Sequence, residues 1–215
     1  MMLLKKKELK LKKYKCYMIR KEKIELLESY INELKTIKMD YMDNNGKFLN
    51  IERYKCLLNN GKNITREKIL KGRSDGSASI IMPIIKDTGE IIFSVEPRVF
   101  TKAQVCVNLP AGYIEKGETG IDAARRELLE ETGFIFNDYV HLGSFYQDQG
   151  CSSALNEYIL GLDCVKQANQ NLDDGEFIKY FICNYDEAKY LINSGYVCDT
   201  NSVLAFERAK QYIRK

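Results

Sequence analysis

The chain has 215 residues, 45% apolar and 29% charged, with a formal net charge of +3. These values lie near those of globular domains, about 45–50% apolar and about 25% charged, so they exclude a disordered chain, and the length argues against a repeat array or a large multidomain assembly. Seven cysteines without a Cys-x-x-Cys pair and a single histidine, His141, argue against a disulfide framework, a zinc site and a His-based catalytic centre, which leaves catalysis to carboxylates.

The charge is uneven along the chain. Residues 1–23 hold ten Lys or Arg against Glu8 and Glu22, a net of +8, which leaves −5 for the remainder. A lysine run is ordinarily a solvated face, and without interleaved Arg and aromatics this one does not read as a nucleic-acid reader. No apolar run approaches the roughly 18–20 residues of a membrane span, and Met1 to Leu4 is too short for a signal-peptide core. The expectation is a cytoplasmic protein with reduced thiols and no membrane partner.

Ile24, Leu27, Ile31 and Leu34, spaced 3, 4 and 3, predict an amphipathic helix from Lys23 to about Lys38 that packs on the domain or on a partner chain. Asn44-Asn45-Gly46 breaks it. Phe48 to Leu58, the turn Asn59-Asn60-Gly61 and the run through Ile64, Ile69 and Leu70 predict a β-hairpin. Ala78 to Ile85, Asp87-Thr88-Gly89 and Glu90 to Val95 predict a second, more apolar one, and Val105 to Leu109 a short strand ended by Pro110. Thr119 with Asp122 has the form of a capping box. Ile121, Ala124 and Leu128 then mark one apolar stripe, and Gly133 stops a helix predicted over 119–132. At about 100° per residue, Glu127, Glu130 and Glu131 share one arc of that helix, and crowded like charges invite a counter-charge. A hard divalent cation such as Mg²⁺ suits three carboxylates. The bland alternative is a solvated acidic face balanced by Arg125 and Arg126.

The loop before the helix decides between these readings. From Gly112 the chain reads Gly112, five residues, Glu118, seven residues, then Arg126-Glu127-Leu128-Leu129-Glu130-Glu131-Thr132-Gly133-Phe134. It resembles the Nudix hydrolase signature Gx5Ex7REUxEExGU at every specified position, and a chance match has a probability on the order of one in ten million. The resemblance implies that Glu127 and Glu131 are the principal metal ligands, Glu130 a third, and Glu118 a supporting carboxylate paired with Arg126. Leu109-Pro110-Ala111-Gly112 resembles the entrance of the branch that hydrolyses ADP-ribose and other nucleoside diphosphate sugars. There the carbonyl of Ala111 is implied to bind metal, and Arg98 and the loop with Gly150 to contact substrate. Residues Leu172 to Glu176 and a helix from Asn201 to Arg214 also match that branch, which covers about residues 46–214. Two positions depart from it: Asn108 stands where an acid is usual, and Asp148-Gln149-Gly150 where Ser-Pro-Gly is usual.

The expected fold is α/β: a Nudix-type α/β/α sandwich whose mixed sheet lies between the box helix and the C-terminal helix. Residues 1–43 are expected to form a basic extension with an amphipathic helix, 44–75 a hairpin subdomain that mediates a homodimer, and 76–215 the hydrolase domain. The resemblance implies Mg²⁺-dependent hydrolysis, with Mn²⁺ as an alternative ion, of ADP-ribose or an ADP-sugar to a nucleoside monophosphate and a phosphorylated product. Another nucleotide specificity (a GDP-sugar, a dinucleotide, capped RNA) and a non-catalytic nucleotide sensor are the competing readings. The general base is expected after the box, at Glu157 ahead of Asp148 and Glu176, because a carboxylate committed to metal is a poor proton acceptor. Phe145, Tyr146 and Tyr158 read as core aromatics, Cys151 as an unactivated thiol and His141 as structural.

Overall fold

Apolar periodicity and turn chemistry account for most elements of the computed structural model, which describes residues 19–42, 46, 48–72 and 74–213. The basic leader up to residue 18, the Asn44-Asn45 breaker and Arg214 lie outside them. The first helix, α1 (Lys21–Leu34), buries Leu27 completely and packs Ile24, Ile31 and Leu34 against the domain core. It ends earlier than its apolar period suggests because the next apolar residue, Ile37, is fully exposed and has no core to reach. The hairpin β1 (Leu49–Leu57) and β2 (Asn63–Lys71) pairs antiparallel as a separate two-stranded sheet. Leu49, Ile51, Tyr54 and Leu57 are exposed on it.

An eight-stranded mixed sheet follows: β3 (Ala78–Ile85), β4 (Ile91–Arg98), β5 (Gln104–Asn108), β6 (Ala111–Tyr113), β7 (Phe134–Ile135), β8 (Asp138–Tyr146), β9 (Leu155–Lys166) and β10 (Lys179–Cys183). Its spine runs β10-β4-β3-β9-β7. β3 and β9 pair in parallel, and the other pairs are antiparallel. β3 is covered on both faces, which is why, apart from the buried Ser79, its sequence is an apolar run with no polar alternation. Ile80, Met82, Tyr158 and Leu160 join one core, and Ile81 and Ile159 the other. The box helix α2 (Gly120–Thr132) covers the second core. Helix α1, α3 (Tyr185–Ser194) and α4 (Thr200–Ile213) cover the first, giving the expected α/β/α layering. Helix α3 was not anticipated, although its Asn184–Glu187 capping box and Gly195 stop were legible. No helix among the described residues is long and apolar enough to cross a membrane.

Glu187 docks α1 on this body. It is 2% exposed and accepts from Lys23 Nζ (2.9 Å), Arg20 Nε (3.0 Å) and the Asn184 backbone N–H (3.0 Å). Burial pushes its carboxyl up, but these donors overcome that and hold it down at about 2. A carboxyl lowered on folding stabilises the native state above its unfolded pKa and loses that contribution as pH falls toward the native value. Glu187→Gln is therefore expected to cost on the order of 2 kcal/mol at pH 7, with the gap from wild type closing between about pH 5 and pH 2 in thermal melts. A pH-independent gap would contradict this.

Candidate active site

Helix α2 starts and stops on its own local chemistry. Thr119 and Asp122 complete the capping box, and Gly133 ends the helix in the left-handed region at φ 73°. The Gly112 to Glu118 loop returns over this helix and is held by Arg126. Its Nε and Nη2 fork onto the two oxygens of Glu118 (2.9 and 3.0 Å), Nη2 also reaches the Tyr113 carbonyl (3.0 Å), and Nη1 spans Glu127 (2.6 Å) and Glu130 (3.2 Å). One guanidinium thus gathers three of the four box glutamates. Gly112 is required by close approach, since a Cβ on it would overlap the Glu127 carboxylate.

Glu131 is the exception to this exposed ion pairing. It is 6% exposed and accepts from the Ser94 hydroxyl (2.5 Å) and the Ala111 N–H (3.4 Å). Burial, with the nearby charges of Glu96 and Glu127, pushes its carboxyl up to about 8 against these donors. Burial also raises Glu127, with Glu130 and Glu176 adding and Arg126 opposing. Glu118 is lowered by its hydrogen bond to Arg126. The donor set is hard oxygen throughout, and its excess negative charge fits a divalent cation. As the side chains stand, no three acidic, thiol or imidazole groups converge on one point among the described residues, because Arg126 and Ser94 engage them.

Glu127 and Glu131 floor a cleft of about 320 Å³ that is lined also by Ala111, Arg98, Lys71 and Glu176, among others, whereas Glu118, Arg126 and Glu130 do not line it. A second lobe of about 370 Å³ shares Glu96, Arg98, Ala111, Tyr113, Gln147 and Asn201 with it. Arg98 is ion-paired to Glu96 (2.6 Å), which also accepts from Asn108 Nδ2. An acid at position 108 would set a like charge against Glu96, so the amide there is a local consistency.

Glu157 does not line the cleft. In phase with Ile159 on β9, it abuts Gly120, the first residue of α2, about 10 Å along the helix axis from Glu127, and lies 3.5 Å from His141. Asp148 accepts from Cys151 Sγ (3.0 Å) and from Gly150 N (3.2 Å), which closes the loop on itself; Cys151 is raised by that contact. Gly150 is exposed and does not line the cleft either. Tyr158 and Phe145 pack edge to face in the core, whereas Tyr146 is exposed. Sequence reasoning missed Lys71, Glu96, Gln147 and Asn201. Each comes from a different element, and only the tertiary contacts bring them together.

A family model, the NUDIX domain, matches residues 76–199. The chain is 28% identical over 163 residues to the ADP-ribose pyrophosphatase of Bacillus subtilis (strain 168), covering 75% of this chain and 85% of that protein. It is also 28% identical over 176 residues to the methanol dehydrogenase activator of Bacillus methanolicus, covering 81% and 91%. The crystal structure of an ADP compounds hydrolase superposes with a TM-score of 0.67 at 20% identity, over 81% of this chain and 91% of that one, and shows the same fold. Gly112→Ala is expected to lower turnover by about tenfold or more, because the added methyl must displace the Glu127 carboxylate. Unchanged turnover in a steady-state assay would contradict that packing.

Proposed function

The chain belongs to the NUDIX domain family, and from that premise we propose that it is a Mg²⁺-dependent pyrophosphohydrolase that adds water across the diphosphate of ADP-ribose or an ADP-sugar, releasing AMP and a phosphorylated sugar. The observation that carries this reading is the acidic floor of Glu127 and Glu131 beneath a cleft whose walls bear Arg98 and Lys71. Carboxylates for a cation and cations for phosphate oxygens meet in one cavity. Retention of all four box glutamates supports catalysis over a sensing role.

The residues that would hold the ion are Glu127, Glu130 and Glu131, with the Ala111 carbonyl; Mn²⁺ suits the same oxygen donors. When bound, the metal supplies charge neutralisation at the diphosphate and acidifies a water. Arg126 orients Glu127 and Glu130, and Glu118 fixes Arg126. Arg98 offers its guanidinium to a phosphate oxygen at the junction of the lobes. For the base, position favours Glu176 over Glu157 and Asp148. It lines the cleft, and among the described residues its carboxylate accepts from the Asp173 backbone N–H (3.2 Å) and enters no ion pair. We place the enzyme in the cytoplasm, a reading supported by the free thiols of all six described cysteines. A second copy on the hairpin is supported by the exposed Leu49, Ile51 and Leu57 of β1.

Product chromatography across a panel of nucleoside diphosphate derivatives with Mg²⁺ tests the reading. AMP and a sugar phosphate from ADP-ribose are expected, and no cleavage of any member would overturn it. Glu127→Gln and Glu131→Gln are expected to lose most turnover with the fold intact. Glu176→Gln is expected to lose about a hundredfold or more with metal affinity preserved, and Glu157→Gln to stay near wild type. The opposite ranking of the last two would return the base to Glu157. Sedimentation at micromolar concentration is expected to show a dimer, and a strict monomer would remove the hairpin interface.

A further inference from the structure

Asn201, in the first turn of α4, lines both lobes of the cleft. Its orientation is set by a hydrogen-bond chain that starts at a group of unambiguous polarity. The backbone N–H of Ala78 donates to Asn156 Oδ1 (3.2 Å), so the Nδ2 of Asn156 is the end that turns to Asn201. That Nδ2 donates to Asn201 Oδ1 (3.3 Å), and the Tyr158 hydroxyl donates to the same oxygen (2.7 Å). Asn156 and Tyr158 are 1% and 3% exposed, so the oxygen of Asn201 is committed inward. Its Nδ2 meets no acceptor among the described residues and is not a buried unpaired atom, so it is open to solvent on a residue that lines both lobes.

We propose that Asn201 is a substrate-binding residue whose amide donates to an oxygen of the nucleoside diphosphate substrate where the two lobes meet, with Asn156 and Tyr158 as positioning residues behind it. This rests on the reading of the cleft as a nucleoside diphosphate site. A neutral donor suits this wall. The cationic donor nearby, Arg98, is held by Glu96, whereas an amide attracts acceptor oxygens without being captured by the surrounding carboxylates.

Asn201→Asp separates the two ends of the side chain. It keeps an oxygen for Asn156 and Tyr158 and replaces the cleft-facing NH₂ with an acceptor. With ADP-ribose and Mg²⁺, KM is expected to rise by about tenfold or more and kcat by contrast to change little, with the thermal midpoint held within about 2 °C. Asn201→Ala, which removes the donor without adding charge, is expected to raise KM by about threefold or more, and it provides the reading if the aspartate variant proves unstable. Tyr158→Phe, which leaves the amide on one anchor, is expected to raise KM by less than Asn201→Asp does. Wild-type KM in both Asn201 variants overturns the proposal. Failure of the wild-type protein to cleave any nucleotide of the panel overturns the reading of the cleft itself, and the proposal with it.

Discussion

Glu131 carries an ionisable carboxyl into the junction between α2 and the sheet, where at 6% exposure its charge is poorly solvated. Two donors reach it, the Ser94 hydroxyl and the Ala111 N–H, and they do not offset burial beside Glu96 and Glu127. Such a group is costly unless it stays protonated or gains a counter-charge. A fold with no catalytic use for that position would place an apolar residue there, as Leu128 is placed one turn earlier on the same helix. In the proposed reaction this carboxyl is the one held for the cation, and the neighbouring groups are arranged around it. Arg126 restrains the two more exposed glutamates, Gly112 leaves room for one of them, and β6 presents the Ala111 N–H to the third.

The far end of α2 is tied as firmly as its capped start. Gln170 Nε2 donates to the Glu131 carbonyl (2.5 Å) and to the Ile178 carbonyl (3.1 Å), Asn171 N donates to the Glu130 carbonyl (2.9 Å), and Lys166 Nζ donates to the Thr132 carbonyl (2.6 Å). The last carbonyls of a helix are unpaired within it, and here the end of β9 and the segment after it satisfy them. That segment continues to Glu176, so these ties to the helix end position the cleft-lining glutamate relative to Glu127 and Glu131. The hairpin closes the other side of the cleft through Lys71, which donates to Gln147, and through Phe48, whose ring lies 6.0 Å from that of Tyr113.

The parts legible in the sequence are those governed by local rules. The box helix, its cap and stop, the turns of both hairpins and the carboxylate arc follow from spacing alone, and all appear in α2, β1 to β4 and the loop from Gly112. Glu157 shows the limit. Its strand was legible, but whether it faces the cleft depends on the pairing of β9 with β3 and β8, and that pairing turns it toward Gly120. Asn201 lies further out of reach, because its role depends on Ala78, Asn156 and Tyr158, which are distant in the chain. Helix α3 is a different case: its capping box was present, but ten residues with a short apolar stripe carry little periodic signal.

Metal-free thermal melts of wild type and Glu131→Gln across pH read out whether the buried Glu131 carboxyl, proposed as a cation ligand, destabilises the empty fold. A carboxyl raised on folding, from its ordinary value to about 8, binds its proton more tightly in the native state, so stability falls as pH rises from about 4.5 through 8. Glutamine does not ionise and escapes that loss. The variant is therefore expected to melt above wild type at pH 8, the gap to close toward pH 5, and Mg²⁺ to raise the wild-type midpoint at pH 8 by clearly more than the variant's. A variant less stable than wild type at pH 8, or an equal Mg²⁺ shift in both proteins, would contradict this.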